Sequence, residues 1–206
     1  MSAPPLPFTT RAAIFLRLLA IQSAWNYETL VGNGIGFSVE PALRLLPGGI
    51  EGAKYRAALA RQSQYFNTHP YMASVAVGAL ARVELDEEDA GKIERFRTAL
   101  CGPLGATGDR LVWAAWLPLS VLLGMLAFGL GGGPAVTVVT FLAAYNVGHL
   151  ALRIWGLHVG YARGMQVARS LGTPVLRLGS TWVSRAGAAL AGIAIPLAIA
   201  RGMGQA

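Results

Sequence analysis

Acid is the scarcest feature of this chain: all ten Asp and Glu lie at or before Asp109, and everything from Arg110 to Ala206 has none. Charge of either sign is thin, 13% of residues against the roughly 25% of a soluble globular chain, which excludes an ordinary soluble surface. A single cysteine, Cys101, excludes an internal disulfide and any multi-cysteine metal site. Arg17 interrupts the first apolar stretch, so the unbroken core of a secretory signal is missing and the start is expected to be retained. No Gly-Lys-Ser/Thr ending follows the glycines of 102–108, and Gly32, Gly34 and Gly36 lack both the G-x-G-x-x-G spacing and a preceding strand. Nucleotide binding is excluded, and those three glycines read as a flexible break or a close helix contact. The net charge of +7 raises nucleic acid as a partner, but no basic face with aromatic interleaving or a recognition helix accompanies it.

What the chain has in abundance is apolar surface, 54% of residues with a mean hydropathy of +0.49. Leu111 to Leu130 is uncharged over twenty residues, and at about 1.5 Å per residue a helix of that length matches a hydrocarbon core about 30 Å thick. Gly131-Gly132-Gly133-Pro134 then breaks the chain, and Ala135 to Leu152 is again free of charge, so a helical hairpin is predicted. A third run, Ala186 to Ala200, is shorter and carries Pro196; Thr181 to Val183 extend it to a marginal span if Arg185 snorkels. The fold class is therefore all-α: a polytopic membrane protein with an N-terminal interfacial or re-entrant helical region over 1–110 and two to three transmembrane helices over 111–206. Lys92, Arg95, Arg97 and Arg110 precede the first span and Arg153, Arg163 and Arg169 follow the second, which places both flanks and the N-terminus in the cytoplasm.

In the first half, Ile14, Leu18, Ile21 and Trp25 recur at helical spacing, with Arg11 and Arg17 placed to meet headgroups. Tyr71 to Ala81 is too short to cross and reads as a re-entrant or buried helix. Glu84 and Asp86 to Asp89 read as a solvated turn.

Three polar motifs carry the chemistry. Gln22-Ser23-Ala24-Trp25-Asn26-Tyr27-Glu28 places Gln22 and Asn26 one helical turn apart, and Glu28 is an isolated acid open to a cation or a sugar hydroxyl, or to an ion pair with Arg. Phe66-Asn67-Thr68-His69-Pro70 concentrates amide, hydroxyl and imidazole before the short apolar segment, the mixture of donors and acceptors a sugar requires; an ordinary N-cap by Asn67 or Thr68 is the alternative. Gly102-Pro103-Leu104-Gly105-Ala106-Thr107-Gly108-Asp109 delivers the chain to the first span, with Asp109 either capping the Leu111 helix or facing the solute. Farther on, Asn146, His149 and Arg153 share a helix face suited to holding a neighbouring helix, and Gly156, Gly160 and Gly164 form a smooth stripe for close approach.

In order, spacing and residue type these motifs, with Tyr145-Asn146 through Arg153, Gly156 and Gly160-Tyr161, resemble the IID component of the mannose/fructose/sorbose branch of the bacterial sugar phosphotransferase system. The resemblance runs from about Arg11 to about Ile195. It implies a multi-pass subunit of the bacterial cytoplasmic membrane, in a hetero-oligomer with a IIC-type subunit and served by the A and B phosphoryl carriers. It implies a hexose as substrate and membrane lipid as surroundings, with Asn67, Thr68, His69, Asn26, Glu28 and Asp109 as the binding residues. No catalytic residue, metal or cofactor is expected, because the carriers perform the covalent chemistry; His69 is not expected to be phosphorylated. Typical members continue beyond the position of Ile195 with a further hydrophobic hairpin, so the chain is expected to be C-terminally shortened. A non-transporting regulator or assembly partner descended from such a subunit is the alternative function.

Overall fold

A computed structural model describes residues 5–172 and 174–204. Nine α-helices are described: α1 Phe8–Leu19, α2 Gly32–Leu43, α3 Ala53–Gln62, α4 Ala73–Leu85, α5 Ala90–Gly108, α6 Leu117–Gly129, α7 Pro134–Arg163, α8 Val167–Leu171 and α9 Pro174–Gly204. Asp109–Trp116 is a π-helical stretch that joins α5 to α6, and the described residues contain isolated bridges but no strand. The all-α polytopic class is thereby found: three helical stretches, Ala90–Gly129, Pro134–Arg169 and Leu178–Gly204, are long and apolar enough to cross a membrane.

The chain packs as two units, residues 1–108 with 152–171, and residues 109–151 with 172–206. In the first, α4 is the core. Every residue from Ala73 to Ala81 is buried, which suits a segment too short to span and unable to face lipid with exposed backbone. Around it lie α1, α2 and α5 and the end of α7. The glycine stripe does what its spacing implies: Gly156 lies against Ser74 Oγ and Gly160 against Val75 O and the Ala79 amide, while Gly78 faces Leu157 O in return.

In the second unit α6 and α9 pack side by side, with Gly129 against Leu197 and Ala198. The predicted hairpin turn forms at 130–133: Gly131 N–H donates to Phe128 O and Gly132 N–H to Ala127 O, with Gly131 at φ +105°, a conformation open to glycine. On α7, Gly148 takes the Trp116 ring.

Four readings of the sequence are corrected. The first helix stops at Leu19, and residues 20–24 form turns, so Gln22 and Asn26 share no helix face. The Asn26 side chain is the reason: its Oδ1 accepts the Glu28 and Thr29 amides at 3.0 and 2.9 Å, an alternative to helix that short polar side chains offer their own backbone. Arg17 does not reach for headgroups but donates to Glu40 at 2.6 Å and lies over the Phe37 ring. Glu84 is no part of a solvated turn; it is 4% exposed and gripped by both arms of Arg61, at 3.0 and 2.7 Å. Lastly, no helix begins at Leu111. The helix runs unbroken from Ala90 to Gly129 with Pro103 inside it, so Asp109 has no N-terminus to cap.

Glu40 in α2 is a buried carboxylate that composition did not single out. Burial alone raises its pKa, but hydrogen bonds from Arg44, Tyr55 and Arg17 outweigh this and hold it below the ordinary glutamate value. A depressed folded-state pKa gives stability that is complete above the unfolded pKa and lost as pH falls. Glu40→Gln is therefore expected to lose about 3 kcal/mol near neutral pH, with two arginines left facing an amide. Thermal unfolding of the detergent-solubilised protein checks this: the gap between wild type and variant should narrow below about pH 4.5.

Candidate functional site

The residues that directly follow the first motif meet the second through their backbones. Phe66 N–H donates to Thr29 O at 3.1 Å and Val31 N–H to Phe66 O at 3.1 Å, so the turn that Asn26 builds is the support on which the 66–70 segment lies. Phe66 itself is fully buried. Behind it, the Arg97 guanidinium lies 5.1 Å from the Phe66 ring centre. Arg97 donates to Gln62 Oε1 at 3.1 Å and to the carbonyls of Gln62, Gln64 and Tyr65 at 3.0, 2.6 and 3.0 Å. One buried arginine thus collects the carbonyls of the loop entering the second motif. Sequence reasoning placed Arg97 among basic residues flanking a span. The signal that separates it is its position in the apolar register of α5 with Ile93, Leu100 and Leu104, all buried.

The third motif closes the other side. Thr68 Cα lies 4.0 Å from where a Cβ would stand on Gly105, and one turn later the His69 ring fills the space a Cβ of Gly108 would take. The contact needs that hydrogen atom in place of a methyl. His69 is 2% exposed and Thr68 8%. The His69 Nδ1 accepts the Tyr71 amide at 3.2 Å, which puts the proton of the neutral ring on Nε2. Tyr71 meets His69 edge to face at 5.2 Å, and the Arg153 guanidinium lies 4.7 Å from the Tyr71 ring centre while also donating to Leu18 O. The second motif is therefore clamped from α1, α5 and α7 together.

The N-cap alternative is not what forms. Helix α4 starts at Ala73 with no side-chain cap, and the Thr68 hydroxyl is buried without a hydrogen-bond partner among the described residues. A buried hydroxyl left so costs about 1–3 kcal/mol, which a ligand hydroxyl would recover. Asn67, next to it, has an exposed side chain.

The remaining expected site residues are placed as follows. The Asn26 amide nitrogen donates to Thr29 Oγ1 at 2.9 Å and Ala24 O at 3.2 Å, so all its polar atoms serve its own turn. Glu28 is exposed and makes no ion pair among the described residues. Asp109 is exposed and opens the π-helical stretch, in the second unit, immediately after Gly108. Thus Thr29, Leu30, Phe66, Thr68, His69, Gly105 and Gly108 are assembled in one unit, with Asn67 at their surface. On α7, Asn146 and His149 bond each other at 2.8 Å, and Asn146 also bonds Leu142 O.

Three comparisons bear on this arrangement. The family model for the PTS system mannose/fructose/sorbose family IID component matches residues 7–199. The mannose-specific EIID component of Escherichia coli K12 is 31% identical over 166 residues, 77% of this chain and 57% of that protein. The fructose permease IID component of Bacillus subtilis is 29% identical over 164 residues, 77% of this chain and 58% of its own length. The chain thus spans little more than half the length of these relatives. Among solved structures, the mannose transporter ManYZ in complex with microcin E492 contains a chain that superposes with a TM-score of 0.71 at 27% identity, over 92% of this chain and 70% of that one. A second membrane protein gives 0.78 at 28% identity over the same shares. With the second and third motifs packed together on the turn that Asn26 builds, and all of the buried core but Leu6 inside the matched span, this chain belongs to the IID component family of the mannose/fructose/sorbose phosphotransferase system.

Proposed function

We propose that this chain is a non-catalytic membrane subunit that pairs with a IIC-type subunit and binds a hexose for translocation and phosphorylation by A and B carriers. The observation that carries the reading is a Thr68 hydroxyl buried without a hydrogen-bond partner among the described residues, flanked by His69 and Asn67, with Gly105 and Gly108 of the third motif packed against Thr68 and His69 and the turn that Asn26 builds holding Phe66. Relatives named for mannose, fructose and sorbose support a hexose as the substrate class. Within the site Thr68, His69 and Asn67 touch sugar, Asn26 positions their loop and Glu28 borders the path; Asp109 is proposed as a binding residue on the resemblance of its motif alone. The location is the bacterial cytoplasmic membrane with the N-terminus cytoplasmic, since basic residues flank the outer ends of the helical hairpin and none lies in its turn.

The test is uptake of labelled mannose, fructose and sorbose by cells that express the chain with a IIC-type partner and the carriers. Asn67→Ala is expected to lower uptake about three- to tenfold, the worth of one hydrogen bond to a ligand, with the assembled complex recovered in normal amount. Unchanged uptake removes Asn67 from the site; no hexose uptake by the wild-type assembly sinks the transport reading.

A further inference from the structure

Within the second unit, the start of the π-helical stretch and the first half of α9 enclose a groove of about 420 Å³ lined by Arg110, Ala114, Ser180, Thr181, Ser184 and Arg185. No site described above uses these residues. Two arginines and three hydroxyl-bearing residues line it beside the small side chains of Ala114 and Ala188. The only carboxylate in residues 109–206 is Asp109.

Depth places the groove at the edge of the apolar layer. From Arg110 to Gly129 is nineteen residues, roughly 29 Å of helix, about the thickness of a hydrocarbon core. At the far end Arg201 donates to Phe128 O at 2.5 Å, and Gly129 lies against Leu197. α6 and α9 therefore run in the same direction, and Arg110 and Arg185 stand at the same end of the pair. That end is one headgroup layer, where Arg185 also lies over the Trp182 ring at 5.3 Å, an aromatic of the kind that marks the membrane interface. Arginine forks and hydroxyl donors together are the chemistry that takes phosphate oxygens, and basic pockets between membrane helices hold anionic headgroups.

We infer that this groove binds the phosphate of an anionic phospholipid headgroup, with Arg110 and Arg185 supplying charge and Ser180, Thr181 and Ser184 supplying hydrogen bonds. The inference rests on the membrane reading of α6 and α9 and is independent of the sugar site. A soluble phosphate offers the same chemistry; the position at headgroup depth at one end of α9, whose Ile193 and Ile199 farther along are 56% and 54% exposed, selects the lipid.

The experiment is native mass spectrometry of the full chain, extracted in detergent with whatever subunits it assembles with, titrated with phosphatidylglycerol, phosphatidylcholine or inorganic phosphate. Wild type is expected to retain phosphatidylglycerol at least tenfold more tightly than phosphatidylcholine, and inorganic phosphate at matched concentration should not displace it. Arg110→Gln with Arg185→Gln is expected to erase the preference. Ser184→Leu, which fills the groove and keeps both arginines, is expected to do the same and guards against a folding defect in the charge variant. Equal retention of the two lipids by wild type, full retention by Ser184→Leu, or displacement by inorganic phosphate each overturns the assignment to a lipid headgroup.

Discussion

Gly108→Ala is expected to lower hexose uptake by more than tenfold while Gly105→Ala, one turn away on the same helix, leaves it intact. Replacing glycine by alanine inside a helix ordinarily stabilises by about 0.5–1 kcal/mol, and at Gly105 nothing opposes that gain, because the nearest atom to the new Cβ is Thr68 Cα at 4.0 Å. At Gly108 the new methyl would overlap His69 Cβ and Cγ, with Nδ1 at 2.9 Å. His69 cannot retreat: its Nδ1 is held by the Tyr71 amide, and its other side is packed by the Tyr71 ring. Overpacking of this kind costs about 1–3 kcal/mol and is relieved by moving the imidazole, so the effect falls on the site before it falls on the fold. Uptake assays on both variants, normalised to chain recovered in the membrane, check the pair. Equal behaviour of the two would mean that the third motif does not shape the site.

Arg97→Ala is expected to lose about 3–5 kcal/mol and to leave little assembled protein. Its removal strips partners from three carbonyls and from the Gln62 side chain; the two bonds to Gln62 are buried and those to Gln64 and Tyr65 part-buried. Arg97→Lys should rescue only in part, because an ammonium is a point donor and the carbonyls of Gln62, Gln64 and Tyr65 are spread around a planar fork. Limited proteolysis of the detergent-solubilised protein reads the effect: cleavage should appear within 61–69 in Arg97→Ala, and to a lesser degree in Arg97→Lys.

The C-terminal half was legible because bilayer thickness is a strict ruler. Uncharged runs of twenty and eighteen residues and a triple glycine could only be two long helices and a turn, and the helices formed. The short apolar segment at 71–81 was legible for the complementary reason: too short to span, it had to be buried, and it became the core of the first unit. What sequence could not show was non-local. Nothing in the spacing indicates that residues 152–171 return to pack with residues 1–108, since that depends on which helix offers glycines to which. Buried ion pairs were also hidden, because Glu40, Glu84 and Arg97 look in one dimension like any loop charge. The capping alternative for Asp109 failed because the helix passes through Gly102-Pro103, a pair that normally ends one, and relaxes into a π-helical stretch seven residues later.

A sugar bound at Thr68 would have to uncover and satisfy a hydroxyl that is buried without a hydrogen-bond partner among the described residues. Thr68→Val keeps the shape and removes the oxygen, so its effects on stability and binding should have opposite signs: the fold gains about 1 kcal/mol or is unchanged, while the ligand loses a hydrogen bond. The most direct measurement is equilibrium binding of labelled hexose to the purified assembly carrying Thr68→Val or Thr68→Ser, with thermal unfolding recorded on the same samples. Serine is expected to bind as wild type and valine about three- to tenfold more weakly at equal or higher unfolding temperature. Wild-type affinity in the valine variant would contradict the account.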